Sequence, residues 1–200
     1  MFIKICGMTR QEDALAAVEC GASAVGFVFW PGSPRFIDPE RARAIVETLP
    51  SRVTTVGVFV NQSADEVNAI ADRVRLGAVQ LHGDEDPEFA AAMTRAVIKT
   101  VSVENAAING WPEQVTLLVD AHDSVLRGGT GKVANWPAAA TLAKRRRVLL
   151  AGGLTPENVG QAIAEVRPFG IDVSSGVELA PGIKDHQRLK ALFEAAAGKK

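Results

Sequence analysis

Phe2-Ile3-Lys4-Ile5-Cys6-Gly7-Met8-Thr9-Arg10-Gln11-Glu12-Asp13 is the stretch on which the fold turns. Its first five residues are an apolar run interrupted by one lysine. A glycine ends the run, and Thr9-Arg10-Gln11-Glu12 has the spacing of a capping box that opens a helix. Strand, loop and helix start thus follow one another within a dozen residues. The same unit returns along the chain. Short, largely β-branched apolar runs fall at 2–6, 24–29, 53–60, 78–81, 97–101, 115–120, 148–151 and 171–174, with helix-like stretches between nearly all of them. Ser63-Ala64-Asp65-Glu66 is a second capping box. Asp38-Pro39-Glu40, Asp86-Pro87-Glu88 and Thr155-Pro156-Glu157 each offer an N-cap, a proline at the first helical position and an early acid. In the last helix Leu189, Leu192, Phe193 and Ala196 are spaced to cover one face. Alternating strands and helices pair in parallel through crossovers. Eight such units predict the α/β class and a closed (β/α)8 TIM barrel. A doubly wound open sheet is the competing architecture, disfavoured because no lone antiparallel strand is evident. The fifth unit, at 103–114, has room for only a turn or two of helix.

The whole chain, 1–200, reads as a single barrel domain, since two hundred residues suit one core and no linker or low-complexity stretch divides them. A formal net charge of −1 gives no broad electrostatic footprint for nucleic acid. The basic run Lys144-Arg145-Arg146-Arg147 reads as a solvated helix end before a buried strand. No apolar run reaches the length of a membrane helix, and the N-terminal stretch has no signal-peptide pattern. Two cysteines, Cys6 and Cys20, do not make a disulfide framework. A cytoplasmic protein with reduced thiols is expected, monomeric or homodimeric, with no membrane or nucleic-acid partner.

In a barrel, alternate residues of each strand face the interior. Ile3 and Ile5 suit the helix side, which turns Lys4 and Cys6 inward. The same parity turns Gln80 and His82 inward in the fourth run, Leu118 and Asp120 in the sixth, and Asp172 and Ser174 in the eighth. The polar members gather toward the C-terminal strand ends, where barrel enzymes hold their chemistry. Cys6, His82 and Asp120 should therefore meet at one mouth. Cys20, on the first helix, reads as a small buried hydrophobe. Cys6 differs, because a lysine two residues back favours its thiolate.

Three late loops are rich in small residues: Gly128-Gly129-Thr130-Gly131-Lys132, Gly152-Gly153 and Ser174-Ser175-Gly176. The first is not a Walker motif, which would need glycine at Leu126 and a hydroxyl residue at Val133. The other two follow strands seven and eight, where barrels bind phosphate through backbone N–H groups. They imply a ligand with a terminal phosphate. Arg35, set between prolines and aromatics in Phe29-Trp30-Pro31-Gly32-Ser33-Pro34-Arg35-Phe36, is a semi-rigid fork suited to a carboxylate or to a surface ion pair.

Taken together these motifs, with Val56-Gly57-Val58-Phe59-Val60-Asn61, Val79-Gln80-Leu81-His82-Gly83-Asp84-Glu85 and the stretch from Asp172 to Asp185, resemble the phosphoribosylanthranilate isomerase family of tryptophan biosynthesis. The resemblance runs nearly the full length. It implies a phosphoribosyl small-molecule substrate, an Amadori rearrangement of N-(5-phosphoribosyl)anthranilate to 1-(2-carboxyphenylamino)-1-deoxyribulose 5-phosphate, Cys6 as general base and Asp120 as general acid. It implies Arg35 on the anthranilate carboxylate, and Gly152, Gly153, Ser175 and Gly176 on the phosphate. Lys4, Gln80, His82 and Asp172 are supporting candidates, and no catalytic role is carried onto His82. The reaction makes no net redox change, since C1 is reduced as C2 is oxidised, so no cofactor and no metal are called for. Protonation states must be opposed: thiolate at Cys6, which Lys4 and nearby N–H groups should favour, and a carboxylic acid at Asp120, which burial should favour. One aspartate–cysteine pair, rather than two aspartates, disfavours the related histidine-pathway substrate.

Two other readings compete. Another phosphosugar barrel enzyme, a decarboxylase or an indole-glycerol-phosphate synthase, would release carbon dioxide. The synthase wants an inward lysine, for which Lys4 and Lys99 are candidates, and a glutamate that no strand end supplies. A non-catalytic phosphoribosyl-binding barrel would keep the glycine loops without needing Cys6 and Asp120.

Overall fold

The computed structural model describes residues 1–102, 110–120 and 135–198. Residues 103–109 of the fifth unit, His122, Arg127, the Gly128–Lys132 glycine-rich run and the Lys199-Lys200 tail lie outside the described residues. Eight parallel strands close into a barrel in sequence order: β1 Phe2–Ile5, β2 Ala24–Val28, β3 Thr54–Phe59, β4 Ala78–Leu81, β5 Ala96–Val101, β6 Thr116–Val119, β7 Val148–Leu150 and β8 Gly170–Val173. Strand β8 pairs back onto β1, which leaves no sheet edge in the barrel. The (β/α)8 expectation holds, and each strand lies within a residue or two of its apolar run.

Strand parity divides the core in two. Ile3, Ile5, Val25, Phe27, Phe59, Val79, Val119, Leu150 and Ile171 face the helices and pack with Ala14, Ala17, Val67, Ala71, Leu189 and Leu192. Ala24, Val56, Ala78, Ile98, Leu118, Leu149 and Ala151 fill the barrel itself. A one-residue register slip would exchange these sets and drive Lys4 and Asp172 into the helix layer, so the register is strongly specified. Lys4 and Asp172 are lateral partners on β1 and β8. Lys99 is the exception to the inward expectation. It is in register with helix-facing Leu81, and its ammonium binds the Gly83 carbonyl and the Glu85 carboxylate, each at 2.7 Å. That disqualifies it as an active-site acid.

Helices α1 Gln11–Glu19, α2 Pro39–Val46, α3 Ala64–Val74, α4 Pro87–Ala91, α5 Trp136–Ala143, α6 Val159–Val166 and α7 His186–Ala196 surround the barrel. Asp38, Ser63 and Asp86 cap α2, α3 and α4 as expected. Two starts differ. Arg10, not Thr9, precedes α1, because the Thr9 hydroxyl donates to the Gly182 carbonyl at 2.6 Å and is lost as a cap. Helix α6 begins three residues after Pro156, because Asn158 accepts from the Thr155 N–H and donates to the Gly153 carbonyl, holding the preceding turn. Cys20 ends α1 half-buried rather than buried. The basic run is the solvated end expected before buried β7, with Lys144, Arg145 and Arg147 exposed, while the Arg146 guanidinium donates to the carbonyls of Trp111, Pro112 and Val115 and Arg147 lies 3.7 Å from the centroid of the Phe169 ring.

Between β8 and α7 lies an unanticipated antiparallel hairpin, β9 Glu178–Ala180 and β10 Ile183–Lys184. Such short strands leave no period to read. Among the described residues no helix is long and apolar enough to cross a membrane.

Candidate active site

A cavity of about 230 Å³ opens at the C-terminal strand ends. Cys6, Arg35, Gln80, His82, Asp120, Gly152, Gly153, Asp172, Ser175 and Gly176 all line it, together with Trp30, Val28 and Val58. Every candidate from the sequence is thus in one place except Lys4, which lies fully buried. Alternation along the strands brings Cys6, Gln80, His82, Asp120 and Asp172 here from inward positions at the C-terminal strand ends, and the following loops bring Arg35 and the glycine-rich positions.

On the β1 side the Lys4 ammonium binds the Asp172 carboxylate at 2.9 Å. Burial opposes the lysine's charge, but Asp172 and the Cys6 sulfur outweigh it and hold its pKa above the usual value. The two side chains of β1 fit side by side because β2 contributes Gly26. A Cβ there would meet the Cys6 Sγ at 2.8 Å and the Lys4 Cε at 3.1 Å. The expected lowering of the thiol does not result. Burial pushes Cys6 above its usual value, against a downward pull from Lys4, and Asp172 adds to the rise. Lys4 acts in the anticipated direction, but it is already paired with a carboxylate and does not overcome desolvation.

Across the cavity, Asp120 follows β6 and is half-buried. His82 faces the same space. Burial holds its imidazole below the usual value, and the Asp120 charge partly offsets that. The His82 Nδ1 lies 3.2 Å from the Gln80 amide nitrogen and 3.0 Å from the Thr100 hydroxyl. Among the described residues the buried Gln80 carbonyl oxygen has no hydrogen-bond partner.

At the β2 loop, Arg35 does not stand free. Its Nε and Nη2 grip the Glu178 carboxylate at 2.7 to 3.1 Å. Glu178 also accepts from Lys184 Nζ at 2.7 Å, and Lys184 donates to the Cys6 carbonyl at 2.5 Å. Burial pushes the Glu178 carboxyl up, but Arg35 and Lys184 outweigh it and hold it below the usual carboxylate range. In the loops after β7 and β8, Gly152 and Gly153 have φ of 87° and 61°, and Ser175–Val177 forms one 3-10 turn. The loops after β7 and β8 touch at Gly176, where any Cβ would collide with the Leu154 carbonyl. Arg188 braces these loops through the Gly176 carbonyl at 2.9 Å.

Sequence reasoning missed Glu178, Lys184, Thr100, Asn158 and Arg188. Glu178 and Lys184 fall within a stretch that carried the resemblance, but nothing in their spacing points them back toward Arg35. The loop 7–10 is tied down through buried Met8 and the Thr9–Gly182 bond. Among the described residues no group of three or more histidine, cysteine or acidic side chains could hold a metal ion.

The family described as N-(5'phosphoribosyl)anthranilate (PRA) isomerase has a sequence model that matches residues 3–195. An N-(5'-phosphoribosyl)anthranilate isomerase of Geotalea uraniireducens is 48% identical over 199 residues, covering 98% of each chain. The crystal structure of phosphoribosyl anthranilate isomerase from Thermotoga maritima superimposes with a TM-score of 0.92 at 45% identity, covering 99% of each chain. A structure of such an isomerase in complex with reduced 1-(o-carboxyphenylamino)-1-deoxyribulose 5-phosphate superimposes at 0.88, with 44% identity and the same coverage. On this identity, on coverage of nearly the whole length, and on the barrel and cavity described above, the chain belongs to the N-(5'-phosphoribosyl)anthranilate isomerase family.

Proposed function

We propose that the chain converts N-(5-phosphoribosyl)anthranilate to 1-(2-carboxyphenylamino)-1-deoxyribulose 5-phosphate, as one barrel domain spanning 1–200, in the cytoplasm. Asp120 gives its proton to the furanose ring oxygen. The C1–O bond breaks, leaving an iminium at C1. The Cys6 thiolate removes the C2 proton, and the electrons of that bond form an enolamine. Tautomerisation gives the C2 ketone. No atom is gained or lost, so the anthranilate carboxylate is retained and no carbon dioxide leaves.

One observation carries this reading. A thiol just after β1 and a carboxyl at the end of β6 line one cavity together with an arginine from the β2 loop and the glycine-bearing loops after β7 and β8. Gly152, Gly153, Ser175 and Gly176 are suited to the phosphate, whose oxygens take backbone N–H groups. Arg35 is suited to the carboxylate, and Trp30 with Val28 and Val58 gives an apolar wall for the aromatic ring. Lys4 and Asp172 set the charge beneath the base. Gln80 and His82 supply polar contacts on the acid's side.

Purified protein should remove the anthranilate-type fluorescence of freshly made substrate. Cys6→Ser and Asp120→Asn should each lose about 10²–10⁴-fold in kcat, the usual weight of one positioned proton-transfer group. They should still bind the reduced product analogue. Unchanged turnover in either variant removes that residue's role, and carbon dioxide release replaces the isomerase with a decarboxylating barrel enzyme.

A further inference from the structure

Arg35 and Glu178 stand 143 residues apart in sequence, yet their contact is the most elaborate ion pair at the cavity. Glu178 accepts from Arg35 through both oxygens. Its Oε1 also takes the Lys184 ammonium at 2.7 Å, the Gly182 N–H at 3.2 Å and the Ser174 hydroxyl at 3.5 Å. Its side chain is only 4% exposed, and that of Lys184 is 0% exposed. Lys184 is fixed in turn: its N–H donates to buried Asp13 and its ammonium to the carbonyls of Cys6 and Ser174. The hairpin is therefore a strap joining the thiol strand, the β8 loop and the arginine.

A guanidinium has five N–H donors on two usable edges. Glu178 occupies the edge made by Nε and Nη2. The edge made by Nη1 and the second Nη2 hydrogen takes no acceptor among the described residues, and Arg35 lines the cavity. That edge is the right shape for a second carboxylate. The charges agree. Arg35 shares the Glu178 carboxylate with Lys184 and is not fully neutralised by it, which favours a singly charged anion on its outer edge.

We propose that Glu178, anchored by Lys184, is the positioning residue that turns the outer edge of Arg35 toward the substrate carboxylate and confines this end of the cavity to a planar, singly charged anion. This rests on the reading of Arg35 as the carboxylate contact. Without Glu178, the arginine has no buried acceptor to fix its plane, and Lys184 and Arg35 repel each other across the gap.

The test compares two probes, the reduced carboxyphenylamino product analogue and its phenylamino counterpart lacking the carboxylate. Preference for the first over the second should fall about 10- to 100-fold in Glu178→Gln, the worth of one charge-assisted hydrogen-bond set. Affinity for the phenylamino probe should hold, KM should rise by more than kcat falls, and Arg35→Ala/Glu178→Gln should be no less selective than Arg35→Ala. Glu178→Asp, which keeps the charge, should recover part of the preference, and it serves as the measured variant if Glu178→Gln does not fold. Equal weakening of both probes, or additive losses in the double variant, reduces Glu178 to a structural residue and overturns the proposal. If Arg35→Ala loses the preference and the Glu178 variants keep it, the positioning role falls alone. If Arg35→Ala also keeps it, the carboxylate reading falls and takes this proposal with it.

Discussion

Replacing Lys4 with methionine tests the electrostatics beneath the base. The ammonium is fully buried, 2.9 Å from Asp172, and it is the largest influence opposing the burial of the Cys6 thiol. An opposite charge at such range shifts a pKa by about 1–3 units, so its loss should raise the Cys6 titration by that amount. The proposed mechanism needs the proton on Asp120 and not on Cys6, while the free protein favours the neutral thiol. The active arrangement is then a minority form, and each further unit on the thiol costs about 1.4 kcal/mol and a factor of ten in its population. Lys4→Met should therefore lower the plateau of kcat/KM about 10- to 1,000-fold while moving its basic limb upward by the same number of pH units. Asp172→Asn should move the thiol the other way, because Asp172 raises Cys6. Thiolate absorbance read against pH in a Cys20→Ser background measures both shifts directly. Stability must be followed beside it, since removing one partner of a buried pair costs about 3–5 kcal/mol and Lys4→Met/Asp172→Asn should recover much of that. An unmoved thiol in Lys4→Met, or shifts of the same sign in the two variants, refutes the electrostatic account.

Other outcomes follow from the same contacts. Gly26→Ala should destabilise by about 1–3 kcal/mol in urea, as overpacked cores do, and should lower kcat, because the new Cβ presses on Cys6 and Lys4. Glu85→Gln should cost about 3–5 kcal/mol by stranding the buried Lys99 ammonium, read as a lowered urea midpoint. The folded state holds His82 below its unfolded value. The unfolded chain therefore binds the extra proton first, and stability present above pH ~6.5 should be lost as pH falls toward the folded pKa. His82→Gln should flatten that part of the melting-temperature profile, and an unchanged profile would clear His82 of the effect.

What could be read in advance was whatever the backbone period enforces. Eight runs and their parity were enough to put Lys4, Cys6, Gln80, His82, Asp120 and Asp172 inside, because a parallel barrel gives each strand residue only two directions. Caps at Asp38, Ser63 and Asp86 were legible because the N-cap acts on N–H groups two or three residues away. Thr9 failed as a cap because its hydroxyl found Gly182, a partner that no local rule reveals. The fate of Arg35 was hidden for the same reason. Its conformation is set by Glu178, on a hairpin too short to show alternation. The sign of the thiol's shift was misjudged for a different reason: proximity of a lysine is visible in a sequence, but depth of burial and a competing carboxylate are not.

The raised thiol also bears on how the catalytic cycle closes. In the proposed mechanism a turnover begins with the proton on Asp120 and ends with one on Cys6, so the total carried by the two groups does not change. Beginning and end states are tautomers of equal charge, and what separates them is where the local environment prefers the proton. Lys4 pulls toward thiolate, whereas burial and Asp172 pull toward thiol. The second pair wins, so Cys6 favours the thiol, the form the proposed mechanism leaves on it after reaction. Restoring the first state requires a proton to leave Cys6 and another to reach Asp120 before the next substrate reacts. The carbonyl of Cys6 is held by Lys184 and its side chain is wedged against Gly26, so the sulfur has little freedom to carry that proton itself. Exchange with solvent along the cavity is the route consistent with this geometry. It places the return step among those able to limit kcat, and a solvent deuterium effect on kcat larger than that on kcat/KM is the expected sign.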